Sequence, residues 1–366
     1  MQEQGRVSPG QVWLLVMGFM VGSAILLRIA PAVKRDAWLA VLLGDGLGIL
    51  MAFVYTALLA RFPGQTLVEI APRLLGPWLG KTVGLLYVWF FLHLGALVLR
   101  NSWEFLTATV LKRTPPLATA LVLALLMWYA VRGGLEVAAR TAEIAVPAMI
   151  LLPTLFSLLL PGHGHLRNLL PVLESGWLPL LKGSLQVATF PAGEVVVFAM
   201  LLPYMRPEAP RRRVVTAGIA ATAVLSALVV ARDVAVLGPL REHIGYPAYA
   251  TISALTLSNF LEGLEGIIVV VWVAATFLKA TVCLYAAVLG LAQGLGLRDY
   301  RPLTGPLAIA ALILSFWVYP NVTAMFDFAA TTWVPYALLF EAVIPLGLLT
   351  LAVARRMRSG AAVSSR

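Results

Sequence analysis

The sequence predicts an all-α polytopic membrane protein of ten transmembrane helices, arranged as a five-plus-five inverted repeat in which helices one and six are broken. Three observations predict it: an apolar composition, ten apolar runs of spanning length, and two interruptions in matching places. Apolar residues fill 60% of the 366 positions and charged residues only 12%, too little polar surface for a soluble globule. The runs fall near 11–30, 37–60, 82–110, 116–131, 141–160, 178–202, 214–237, 264–292, 304–320 and 332–353. They leave no separate soluble domain, so residues 1–366 read as one integral membrane domain. The first run follows a short polar start without a small-residue cleavage pattern and is expected to be retained.

Taken in order, span one places Gly22, Ser23 and Ala24 after Val21, small and poor helix formers at mid-span. A break there is expected to free amide groups at a new helix start, where the dipole favours an anion. Span two holds Asp45 among Gly44, Gly46 and Gly48, which reads as a close helix approach. Residues 65–77, between Pro63 and Pro77, mix apolar and charged positions and predict a surface helix. In span three Tyr87 and Trp89 either wall a pocket or pack, and Arg100 with Glu104 four residues on reads as a local ion pair. Spans five and ten share an echo, Glu143 to Pro147 and Glu341 to Pro345. These are either hinge or relay carboxylates or proline kinks with glutamates near a membrane edge.

Span six is interrupted by Phe190, Pro191, Ala192, Gly193 and Glu194. Non-helical backbone at membrane depth survives only when buried in protein or lining a cavity, so this break points to a binding site. Residues 246–262 predict a second surface helix, either a vestibule cover or a simple interfacial helix. Span eight carries Lys279 near its middle, within the stretch Thr276 to Thr281.

The formal charge of +10 invites a nucleic-acid reading, but the placement of the basic residues records orientation instead. With the N-terminus cytoplasmic, sixteen Lys and Arg lie in inside segments and nine outside, with Arg100 and Lys279 within spans. Both termini are therefore expected in the cytoplasm. The run Arg211 to Arg213 and the Arg-rich tail read as anchors at anionic headgroups. Cys283, a lone cysteine, reads as an apolar packer, and His163-Gly-His165 as a solvated loop. No metal, cofactor or nucleic-acid partner is expected. No nucleophile, base and orienting group stand together in the sequence, which disfavours an enzyme.

Division after span five gives repeats of about 11–160 and 178–353, each opening with a broken helix and, by the odd number, oppositely oriented. That plan puts a site at the midplane between the two first spans. An ionised side chain at mid-helix costs about 2.5–3.5 kcal/mol, so Glu194 and Lys279 are expected to pair, as a coupling group or as a structural ion pair; Glu143 joins them as a candidate relay. An amino acid suits the site. Its carboxylate would lie against Gly22, Ser23 and Ala24, and its ammonium against carbonyls near Thr189 and Phe190 or against Glu194. Tyr87, Pro191, Gly193 and Thr276 complete the candidate binding set.

The break at Gly22 and Ser23, the run Phe190 to Glu194 and the ten-span plan resemble the amino acid, polyamine and organocation transporter superfamily. Within it the chain is most similar to the spore germination permeases, the B subunits of endospore germinant receptors. The features that carry this likeness are Asp36-Ala-Trp38, Arg132-Gly-Gly-Leu-Glu136 with Arg140-Thr-Ala-Glu143, and Asn168-Leu-Leu-Pro171. The resemblance implies a LeuT-type fold serving as a nutrient sensor in the spore inner membrane or bacterial cytoplasmic membrane. It also implies a membrane A subunit and a lipoprotein C subunit as partners, and a small-molecule germinant, by preference an amino acid, between helices 1, 3, 6 and 8. The alternative is a proton-coupled secondary amino-acid transporter.

Overall fold

A computed structural model describes residues 6–24, 28, 30–159, 165–206, 208–256 and 264–357. Among these, eight helices are long and apolar enough to cross a membrane, and a ninth span comes from Arg301–Trp317, which is followed after a 100° bend by Val322–Thr331. A shorter apolar helix near the N-terminus brings the number to the ten expected. The spans are α1 (Pro9–Ala24), α2 (Ala37–Arg61), α4 (Pro77–Thr109), α5 (Pro116–Gly133) and α6 (Leu135–Leu159) in the first half. In the second half they are the discontinuous span opened by α7 (Trp177–Val187), then α8 (Arg211–Leu237), α10 (Leu264–Leu295), α11 (Thr304–Trp317) and the pair α13 (Trp333–Leu338) and α14 (Ile344–Ala354).

Three short helices join the spans. Helices form in both stretches where the sequence predicts a surface helix, α3 (Leu67–Leu75) and α9 (Pro247–Thr256), and the remainder of the second expectation, 257–262, lies outside the described residues. The helix α3 starts at a reciprocal capping box between Thr66 and Glu69, which satisfies two otherwise orphaned amides. Between the apolar runs that end at 320 and begin at 332, the structure forms α12 (Val322–Thr331), started by the Asn321 side chain accepting from the Ala324 amide at 2.9 Å. His163 of the expected histidine loop also lies outside the described residues.

Small residues set the helix spacing. Gly44 and Gly48 turn their missing side chains toward α7 and the break after it: a Cβ on Gly44 would strike Val187 and the Ser184 carbonyl, and one on Gly48 would strike Ala192. Where lipid supplies no hydrophobic drive, such close backbone approach provides the packing. Asp45, between them, is buried, in line with a packing role for the segment. The core around the site is formed by α10, which packs against both α1 and α4, and by α1, which with α10 contacts the span-six break.

Candidate functional site

The site grows from the break in span six. Beyond Val187 the backbone widens into a π turn over Ala188–Ala192, leaves helical geometry at Phe190 (φ −151°, ψ 103°) and resumes as a 3₁₀ helix over Gly193–Met200. Pro191 accounts for the interruption locally, because proline biases the residue before it away from the helical region and itself donates no amide. The freed Thr189 carbonyl accepts from the Trp333 indole N–H at 3.1 Å. Glu194 is thereby carried on the first turn of the resumed helix, fully buried.

Lys279 of α10 reaches Glu194 as the sequence predicts. Its ammonium donates to Glu194 Oε2 and, at 2.5 Å, to Ser23 Oγ. It also lies 4.8 Å from the ring centroid of Phe19 and 5.1 Å from that of Phe190. Neither charged side chain is exposed at all, so each depends on the other for compensation in a low-dielectric interior.

The second carboxylate oxygen, Glu194 Oε1, has no protein partner among the described residues, and Glu194 lines a cavity of about 70 Å³. Span three contributes Leu94, Leu97, Val98 and Asn101, and span six Gln186 and Phe190. The chain after span one adds Arg28, Ala30 and Pro31; residues from Tyr319 to Trp333, chiefly on α12, complete the wall. Asn101 Oδ1 and Gln186 Oε1 likewise lack hydrogen-bond partners among the described residues. Arg28 donates to the Glu242 carbonyl and rests 5.3 Å from the Phe326 ring centroid. A mostly apolar cavity with a few convergent polar groups is the usual form of a small-molecule site. This one offers a cation and a carboxylate.

Of the candidate binding residues, Phe190 and Glu194 line the cavity; the others stand behind it or elsewhere. Gly22, Ser23 and Ala24 form the last turn of α1, so their amides belong to the helix's own ladder and not to a new helix start; residues 25–27 lie outside the described residues. Gly22 is a packing residue, since a Cβ there would sit 2.8 Å from the Ala275 carbonyl oxygen. Thr189 and Thr276 turn their hydroxyls onto their own helices, to Gln186 O at 3.1 Å and Trp272 O at 3.1 Å. Pro191 is buried. Tyr87 is buried and donates to the Phe340 carbonyl at 2.8 Å.

Gly193 backs onto Glu341, and a Cβ there would collide with that carboxyl group. Glu143, by contrast, is exposed on α6 and forms no ion pair among the described residues. The echo between spans five and ten thus separates: Glu341 is fully buried and Glu143 is not. Arg100 and Glu104 do form the local pair, at 2.5 Å and with little exposure, and Arg100 also lies 4.2 Å from the Trp103 centroid. The cavity is framed by spans three and six, the segment after span one and α12; span eight supplies only Lys279, behind Glu194. Sequence reasoning does not find Arg28, Asn101, Gln186 or Trp333. Gln186, one turn before Phe190, and Asn101, a polar residue inside an apolar run, are the two that carry a signal.

Comparison with known proteins agrees with this architecture. Residues 6–322 match the family described as spore germination protein. The chain is 30% identical to spore germination protein KB of Bacillus subtilis over 361 residues, 97% of each chain. It is 24% identical to spore germination protein YndE of the same organism over 79% of this chain and 81% of that one. It is 23% identical to spore germination protein GerQB of Bacillus cereus over 86% and 87%. Among solved structures, MhsT in complex with L-phenylalanine aligns with a TM-score of 0.67 at 16% identity, over 96% of this chain and 89% of that one. The nucleobase-cation-symport-1 family transporter Mhp1, with bromovinylhydantoin bound, aligns with a TM-score of 0.65 at 15% identity, over 97% and 80%. At such identities the likeness is one of fold: the LeuT-type arrangement expected from the sequence.

Proposed function

The chain belongs to the spore germination protein family, and from that premise we propose that it is the nutrient-sensing membrane subunit of a germinant receptor. In this reading the cavity lined by Glu194 receives a germinant, an amino acid by preference. The observation that carries it is Glu194 Oε1, a buried carboxylate oxygen without a partner among the described residues, on a residue that lines the cavity. A ligand ammonium would meet that oxygen. Its carboxylate would turn toward Arg28, and Asn101 and Gln186 would take the remaining polar contacts. Binding would shift a pre-existing balance between conformations, by no more than the ligand's differential affinity for the two states.

The family premise supports a receptor of several subunits, with a membrane A subunit and a lipoprotein C subunit as partners of this B-type chain. It also supports a place in the spore inner membrane with both termini cytoplasmic, and one domain built from repeats 11–160 and 178–353. Transporters share the fold, so the test must separate sensing from transport. Purified protein is screened for thermal stabilisation by amino acids, sugars and nucleosides, and each hit is offered to proteoliposomes with and without a proton gradient. Stabilisation without uptake is expected, with loss of stabilisation in Glu194→Gln. Gradient-driven uptake would replace the sensor with a proton-coupled amino-acid transporter.

A further inference from the structure

Behind the Glu194 and Lys279 pair lies a second buried carboxyl group that the pair does not use. Glu341 is fully buried, and among the described residues neither of its side-chain oxygens has a hydrogen-bond partner. It sits in a π turn, Leu339–Val343, which faces the span whose own π turn forms the break. Such turns recur at functional sites. Oε2 of Glu341 packs against Gly193, the residue adjoining Glu194, at a place where any Cβ would exclude it. The same turn contacts the resumed helix of span six, which carries Glu194, and α2, which carries Tyr55; the buried Tyr55 hydroxyl also has no hydrogen-bond partner among the described residues. A buried charge or polar group without a partner is costly. One ammonium and two carboxylates therefore share this space, and only one carboxylate is served.

We propose that Glu341, with Tyr55 beside it, is a second seat for the Lys279 ammonium, onto which a ligand ammonium arriving at Glu194 displaces it. The lysine tether lets the cation cross from one side of Gly193 to the other without leaving the protein. Glu341 is then a positioning residue: it touches no ligand, but it accepts the charge that binding dislodges. Ligand occupancy becomes a rearrangement between span six and span ten. The displacement step rests on the functional reading above; the existence of the second seat does not.

A ligand-free cycle tests the seat, using thermal midpoints of the purified full-length protein. Glu341→Gln is expected to stay within about 1 °C of wild type, and Glu194→Gln to fall by only about 2 °C because Lys279 moves to Glu341. The double variant strands the lysine, so its midpoint should lie about 3 °C or more below the sum of the single shifts. Adding Lys279→Met should abolish that coupling and recover the double variant, even if it is too unstable to purify. Additive single shifts, or no recovery with Lys279→Met, overturn the proposal. A binding arm uses the twenty standard L-amino acids: any that binds wild type should bind Glu341→Gln at least about tenfold more weakly, and equal binding overturns the displacement. A panel without any binder overturns the amino-acid reading, and the displacement with it, while the cycle still decides the seat.

Discussion

Replacing Lys279 by methionine removes the cation and keeps the length of the side chain. It leaves Glu194 buried and uncompensated, and removes the bond to Ser23 and the contacts with the rings of Phe19 and Phe190. Breaking a buried pair by deleting one partner costs about 3–5 kcal/mol. An unfolding entropy of about 2.1 cal/mol/K per residue, taken over the 366-residue chain, makes this a fall of about 4–6.5 °C in the thermal midpoint. Adding Glu194→Gln should return part of the loss, because an amide carries no charge to strand. The protein supplies its own reporter: Cys283 is the single cysteine, fully buried, one turn beyond Lys279 on α10. A thiol-reactive fluorogenic dye therefore reads the transition directly. A midpoint within 1 °C of wild type for Lys279→Met, or a double variant no better than the single, would refute the claim that the pair holds the core together.

Gly22→Ala places a Cβ 2.8 Å from the Ala275 carbonyl oxygen and should lower stability by about 1–3 kcal/mol. Gly46→Ala, with nothing within 4 Å, is the matched control and should not, as dye accessibility of Cys283 on heating will show. Trp333→Phe removes the donor from the Thr189 carbonyl and should cost about 1–3 kcal/mol, the penalty of an orphaned buried acceptor; an unchanged midpoint would mean that another donor takes over. Asn101→Leu should weaken the best ligand of an amino-acid screen about tenfold, measured by titration calorimetry, while leaving the unliganded midpoint within 1 °C. Equal affinity would take Asn101 out of the site.

The spans were legible because lipid imposes one simple rule on every crossing segment, a run of apolar residues of fixed length. The span-six break was legible because Pro191 lies deep inside such a run, where a proline cannot continue the helix ladder. Pairing of Glu194 with Lys279 followed from scarcity, there being few charges inside spans to pair. Other features escaped because they depend on three-dimensional neighbours. Gly22 and Ser23 look like a break in one dimension but close a tight crossing with α10, and that is decided by Ala275, some 250 residues away in sequence. The two Glu-Pro echoes are alike as strings, yet one glutamate faces the interior and the other does not. The wall formed by α12 carries no chemical motif at all, and its helix, capped by Asn321, falls between two apolar runs.

The ion pair also bears on what the site can be used for. In a transporter driven by a cation, a carboxylate near the substrate is neutralised by an ion that arrives from one side and leaves on the other, and the gradient of that ion drives accumulation. Here Lys279 neutralises Glu194, and it is covalently held. A tethered cation gives the same electrostatic compensation but carries no gradient energy, because its chemical potential is the same whichever way the site opens. It can still be displaced by a ligand. The pair is therefore suited to registering occupancy, and a sodium gradient should leave uptake of a bound amino acid in proteoliposomes unchanged. Sodium-driven accumulation would show that an exchangeable ion does the work assigned to Lys279.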